Sequence, residues 1–268
     1  MQKLLAIVIV AAVVCAACAT SPTGRRQLMI VSEESAIAAS REAYVEVLRP
    51  LEQQGRVDND RVLKARVNKI TGRLIAQAVK MRPETAKWDW SIKIIDDPKT
   101  VNAWAMAGGK MALYTGLVKK IQPTDDELAQ VLGHEIAHAL AKHTAEKMSV
   151  ALASNLGIAT IGVLADQPAA MSSAALAAAV AIQMPNSRSA ESEADHIGME
   201  LAAKAGYDPR AAITLWNKMG REAGSSMPQF LSTHPSSDTR MRELTRLLPQ
   251  MMPYYRQDGE RPTYPLKS

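Results

Sequence analysis

Apolar residues recur at helical spacing through most of the chain and at alternating spacing in one stretch near its middle. Val62, Leu63, Val67, Ile70, Leu74 and Ala78 recur at helical spacing, which predicts a helix over 59–81. An earlier helix is expected to start at Ser32 and to stop before Pro50, with Glu33 and Glu34 favourably placed on the dipole of its first turn. Trp88, Trp90, Ile92 and Ile94 alternate with polar residues, the period of a half-buried strand that Asp96-Asp97-Pro98 closes. A second strand is expected over 101–106, a turn at Gly108-Gly109, and a third strand over 110–114. Thr124-Asp125-Asp126-Glu127 reads as a capping box opening a helix, in which hydroxyl and carboxylate each accept from the other residue's backbone amide.

Beyond that helix, charge is absent over 150–165 and again over 169–184, with Asp166-Gln167-Pro168 between. Each half is shorter than the ~20 residues a membrane span needs, so a buried helical hairpin is expected. Further helices are expected over 189–205, closed by Gly206, over 209–219, closed by Gly220, and over 237–248, ended by Pro249. A tail from Pro253 reads as extended. The elements add up to an α+β, mainly helical fold, and 268 residues suffice for one domain with its own core.

The N-terminus sets the compartment. Lys3 precedes an apolar run over 4–14 and the small-residue stretch Cys15-Ala16-Ala17-Cys18, the layout of an export signal and too short to span a bilayer. One route is a plain secretory signal cleaved near Ala17 or Ala19. The better match resembles a bacterial lipoprotein signal over 1–17, cut before Cys18 so that its thiol takes a lipid. Cys15 stands where that pattern prefers Leu. The next residues, 19–31, read as a polar tether. Both cysteines lie in this leader, so the folded part has neither a disulfide nor a thiolate ligand. The net charge of +5 is spread without a basic stripe, which argues against nucleic acid as a partner.

The capped helix carries His134-Glu135-Ile136-Ala137-His138. Residues four apart lie about 40° apart around a helix, so both imidazoles face one way and can grip one zinc ion. Glu135 then stands beside the open coordination position, where it can act as base towards a water that the metal polarises. A catalytic site of this kind wants a third protein ligand, and Glu191 on a later helix can supply it. Asp195, one turn on, can accept a hydrogen bond from a ligand His. Glu193 lies about 200° from Glu191 and is expected to face solvent or serve structure. His143, nine residues past His134 and so about 180° away, cannot join the site, and His196 points elsewhere, so both are expected to serve structure.

The segments HEIAHALAKH, ESEAD, AGYDP and THPSSDTR, with VNAWAMAGGKMALYTGL upstream, resemble the HtpX/BepA/LoiP-type zinc metallopeptidase family, relatives of the CAAX prenyl proteases. The likeness covers about residues 25 to 248 and is nearest in form to the lipidated, outer-membrane LoiP type. It implies a gluzincin core with a small sheet packed on the zinc helices, and Glu191 and Asp195 as the matching carboxylates. It also implies that His234, before Pro235, helps stabilise the oxyanion and that Arg240 braces the site. Asn102-Ala103-Trp104 resembles the edge-strand segment of thermolysin-like enzymes, which implies substrate-backbone binding at Asn102, Ala103 and the strand over 110–114. Trp104 itself reads equally as core.

The resulting expectation is a signal peptide over 1–17, a lipid-anchored tether over 18–31, a metallopeptidase domain over 32–252 and an extended tail over 253–268. One zinc ion would serve hydrolysis of misfolded or unassembled envelope proteins, at the periplasmic side of the outer membrane, with assembly or protease partners there. The rival is a zinc-stabilised chaperone or assembly factor whose peptidase activity is weak or gated.

Overall fold

In a computed structural model, residues 18–160, 172–222, 229–234, 238–256 and 258–267 are described. The expected signal peptide over 1–17, the centre of the expected apolar hairpin (161–171) and Pro235 lie outside them. Strands β1 (Cys18–Thr20) and β2 (Arg26–Leu28) form an antiparallel hairpin, so the segment expected as a tether is folded onto the domain. Helix α1 (Glu33–Gln53) is capped by the Ser32 side chain, which accepts from the Ser35 amide, and α2 (Arg61–Met81) by Asp60, which accepts from the Leu63 amide. α1 runs through Pro50 instead of stopping before it, because that proline lies on the exposed side near the helix end.

Strands β3 (Ser91–Ile95), β4 (Ala103–Met106) and β5 (Lys110–Tyr114) build a sheet in the order β3-β5-β4, with β3 parallel and β4 antiparallel to β5. Gly108 and Gly109 turn the chain between β4 and β5 at φ of 78° and 76°, a conformation that side chains resist. Alternation then sorts the side chains into two cores. Ile92, Ile94, Ala103, Ala105, Met111 and Leu113 face α2 and the helices beyond, whereas Ile95, Trp104, Met106 and Ala112 face α1. Both faces are therefore covered, which is why the sheet is less polar than a half-buried strand would be.

The remaining elements are α3 (Thr115–Ile121), α4 (Asp125–Leu140), α5 (His143–Thr160), α6 (Ser173–Ile182), α7 (Arg188–Lys204), α8 (Ala211–Glu222), α9 (Gln229–Thr233) and α10 (Asp238–Met251). α10 passes Pro249 and ends two residues later. The expected capping box is present, with the Glu127 amide donating to Thr124 and the Thr124 amide to Glu127. α4 is buried from Glu127 to Leu140, making it the central rod of the fold. The described arms of the apolar hairpin, α5 and α6, join the second core through Ala145, Met148, Ala174, Ala177 and Val180. Among the described residues no helix is long and apolar enough to cross a membrane. The C-terminal segment lies along α2 to the start of β3, where Tyr264 N donates to Gly72 O and Lys267 N to Trp90 O, both at 2.9 Å.

Candidate active site

The site lies where α4 and α7 cross with almost no space between them. A Cβ added to Gly133 would sit 2.8 Å from the Gly198 carbonyl oxygen, and one added to Gly198 would sit 2.8 Å from the His134 amide nitrogen. Only glycine permits this approach. On α7, residues 191, 195 and 198 share one face, so the contact at Gly198 aims Glu191 and Asp195 at the α4 histidines.

His134 Nε2 is 3.0 Å from His138 Nε2 and 3.2 Å from His234 Nδ1. Glu191 Oε1 lies 3.1 Å from His234 Nδ1 and 3.4 Å from His138 Nε2, and Glu191 Oε2 lies 3.4 Å from His134 Nε2. All four residues are buried, and their donor atoms fall within 4.8 Å of one another. Imidazole lone pairs facing each other at such distances repel unless something positive sits between them. Four donors about 2.1 Å from a tetrahedral ion stand ~3.4 Å apart, so the observed spacings fit the edges of a ligand polyhedron. Charge agrees: burial alone lowers the His134 pKa, yet Glu191 and Asp195 raise it to about 9, so the cavity favours a positive charge there. The residues fit a divalent metal.

Asp195 Oδ1 is 3.0 Å from His134 Nδ1, placing that ring's proton on Nδ1 and leaving Nε2 free to ligate. Arg240 donates to Glu191 Oε2 at 2.9 Å and to Asp195 Oδ1 at 2.5 Å, and its guanidinium lies 3.6 Å over the Trp216 ring. Glu135 is buried beside the cluster. Its Oε1 has no hydrogen-bond partner, although His234 Nε2 stands 3.4 Å away in poor geometry. Burial pushes its carboxyl above the ordinary value, against the pull of His234 and His134.

These donors and Glu135 fall in the HEIAHALAKH, ESEAD and THPSSDTR segments, and the profile of Peptidase family M48 matches residues 62–248. The chain belongs to that family. Among M48 relatives, it is 37% identical over 157 residues to the mitochondrial metalloendopeptidase OMA1 of Arabidopsis thaliana, covering 59% of this chain and 31% of that protein. Against the Bos taurus metalloendopeptidase OMA1, identity is 32% over 243 residues, or 86% of this chain and 46% of the other. A putative beta-barrel assembly-enhancing protease of Vibrio cholerae is 31% identical over 223 residues, or 78% of this chain and 44% of the other. The chain thus spans about a third to a half of the length of these curated relatives.

The M48 site takes in residues that sequence spacing had set aside. His143 Nδ1 lies 2.7 Å from His138 Nδ1. The expectation of a position opposite the site assumed one continuous helix. α4 instead ends at Leu140, and Lys142 turns the chain in a left-handed conformation (φ 61°), returning His143 to the ligand side. Glu193 does point away from Glu191, but hairpin β1–β2 and α5 cover that face, and its carboxylate is buried 3.1 Å from His143 Nε2. Asn186 was also missed: its Nδ2 is 3.3 Å from His234 Nδ1, and its amide donates to the Thr233 carbonyl. His196 carries no role here.

Asn102 lies just before β4 and Ala103 opens it; β4 is an edge strand of the sheet and packs on α4. Asn102 Oδ1 accepts from the Ala103 amide at 3.0 Å, while its buried Nδ2 has no partner. α9 is pinned beside this strand, with Phe230 N donating to Val101 O and the Phe230 ring stacked 4.4 Å from the His234 ring.

The glycine crossing is testable. Gly198→Ala puts a methyl group against backbone that cannot yield, so a loss of about 1–3 kcal/mol is expected together with weaker metal retention. Thermal melting and metal analysis check this; a fully stable, metal-replete variant would show that the close approach is not needed.

Proposed function

We propose that this chain is a zinc-dependent endopeptidase that cuts misfolded or unassembled proteins of the bacterial cell envelope. The observation that carries the reading is the convergence of His134, His138 and Glu191 donor atoms beside the unpartnered Oε1 of Glu135. Nitrogen and oxygen donors at tetrahedral spacing suit one zinc ion per chain. Bound there, zinc supplies Lewis acidity, polarising the scissile carbonyl and easing deprotonation of water. Glu135 takes the water proton on Oε1 and passes it to the leaving amine nitrogen; burial, by raising its pKa, makes it a stronger base. Asp195 and Arg240 hold the ligands in orientation. An extended substrate adds to the edge of β4 at Asn102 and Ala103, gaining main-chain hydrogen bonds with little demand on sequence.

His234 is assigned to the oxyanion. Its Nδ1 lies among the donor atoms, so a fourth protein donor stands where a catalytic metal site would need room for water. Its Nε2 stands 3.4 Å from Glu135 Oε1, on the side from which an imidazole would serve the oxyanion. The same observation favours gated hydrolysis, which also accommodates an assembly-factor role.

The names of the Vibrio cholerae and Escherichia coli O157:H7 relatives, beta-barrel assembly-enhancing proteases, support an envelope setting. On this reading, residues 1–17 are removed, Cys18 is lipidated and the enzyme faces the periplasm from the outer membrane, near assembly and protease partners. The test is digestion of an unfolded β-barrel protein by the purified chain, with the mature N-terminus read by mass spectrometry. Cleavage should stop with a chelator and return with zinc, and the chain should begin at an acylated Cys18. Cleavage that ignores the chelator overturns the zinc reading.

A further inference from the structure

The two α4 ligands are backed differently. Asp195 meets the outer nitrogen of His134 directly, whereas the outer nitrogen of His138 meets a second imidazole, and only that imidazole meets a carboxylate. One proton arrangement satisfies the whole chain. A His138 that ligates through Nε2 carries its proton on Nδ1 and donates it to His143 Nδ1. His143 then carries its own proton on Nε2 and donates to Glu193 Oε2. His138, His143 and Glu193 are all 5% exposed or less, so these bonds do not compete with water.

Glu193 is held in turn from outside α7. Thr23 Oγ1 donates to Glu193 Oε1 at 2.5 Å and Arg25 Nε to Oε2 at 2.7 Å. Arg25 also grips both carboxylate oxygens of Glu146, at 2.7 and 2.5 Å. Gln27 Nε2 ties Glu146 Oε2 (2.9 Å) to the Ala141 carbonyl (2.7 Å) at the end of α4. His143, Thr23 and Arg25 each place a donor on the buried Glu193 carboxylate. A buried carboxylate survives only with such partners. Thr23, Arg25 and Gln27 all come from hairpin β1–β2 and its turn, the segment that begins at Cys18.

We propose that His143 and Glu193 are positioning residues for the ligand His138, and that hairpin β1–β2, through Arg25 and Thr23, holds them in place. The segment next to the anchoring cysteine is thereby an outer part of the metal site. Without Arg25, Glu193 loses its charge partner and turns towards water. His143 follows it, and His138 is free to swing off the metal. The inference rests on the metal reading given above.

The test uses the full chain loaded with zinc, and separately with cobalt(II). Arg25→Gln, Glu193→Gln, His143→Asn and the double variant Arg25→Gln/Glu193→Gln are compared with wild type. Two readouts are taken: the rate of zinc release to a chromogenic chelator and the visible spectrum of the cobalt form. Release should quicken by about 10- to 100-fold for Glu193→Gln and His143→Asn, with a shifted cobalt band. Arg25→Gln should quicken it about tenfold, and the double variant should be no faster than Glu193→Gln alone, because Arg25 acts through Glu193. If the network only fastens the hairpin, melting temperatures fall while release rate and spectrum stay at wild-type values, which overturns the inference. Should the buried substitutions prevent folding, Arg25→Gln, at a partly exposed residue, decides alone. Wild-type protein that holds no stoichiometric metal would count against the metal reading instead, and is seen before any variant is made.

Discussion

Glu135→Gln is expected to lower the turnover of an unfolded polypeptide by about a thousandfold or more while leaving metal content unchanged. The carboxamide has the shape of the carboxylate but cannot accept the water proton, and positioned general bases contribute typically ~10²–10⁴ in rate. Glu135 Oε1 is buried and without a hydrogen-bond partner, so the substitution breaks no hydrogen bond at that atom. The metal should stay because Glu135 lies outside the convergent donor set of His134, His138, Glu191 and His234. Single-turnover hydrolysis and elemental analysis on one preparation separate the two effects. Full activity in the variant would remove Glu135 from the mechanism; loss of both activity and metal would make it a ligand.

Glu191→Ala is expected to empty the site. The substitution takes away a donor and a negative charge at once, and it strands Arg240. That guanidinium is buried, 2.9 Å from Glu191 Oε2, and without Glu191 only Asp195 remains to balance it. A buried cation left with a single counter-charge, beside three histidines, opposes a second cation. The affinity loss should therefore exceed the about 10–100-fold typical of losing a residue that merely supports a ligand. Metal titration measures the loss directly. The melting temperature of the wild type should fall towards that of the variant when metal is withdrawn, because binding stabilises the folded state. Stoichiometric metal in Glu191→Ala would mean that another residue is the third ligand.

Much of the molecule follows from local rules. The α2 periodicity, the three short strands and the capping box of α4 are set by residues within a few positions of each other, and they stand in the structure where their spacing places them. Helix ends followed less closely. Pro50 and Pro249 each deny one backbone hydrogen bond, yet α1 and α10 run past them. His134, Glu135 and His138 share one helix, so a spacing of four was enough to group them. Glu191 and Asp195 needed only helical geometry to be paired with each other; their approach to α4 depended on Gly133 and Gly198, whose backbones touch.

Sequence alone therefore determined the chemistry of the site: two imidazoles and a carboxylate on one capped helix, with further carboxylates on another. Only the tertiary structure decided what stands behind them. His143 joins the site because Lys142 breaks the helix with a left-handed turn, and no pattern of side chains announces that turn. Glu193 is buried because a hairpin some 170 residues earlier in the chain covers its face of α7. A helical wheel gives the direction of a side chain, which held for Glu193 but not for His143, because the helix ends before that residue. What lies in that direction is a matter of long-range packing: spacing left Glu193 either facing solvent or serving structure, and the fold has set Thr23, Arg25 and an imidazole around it.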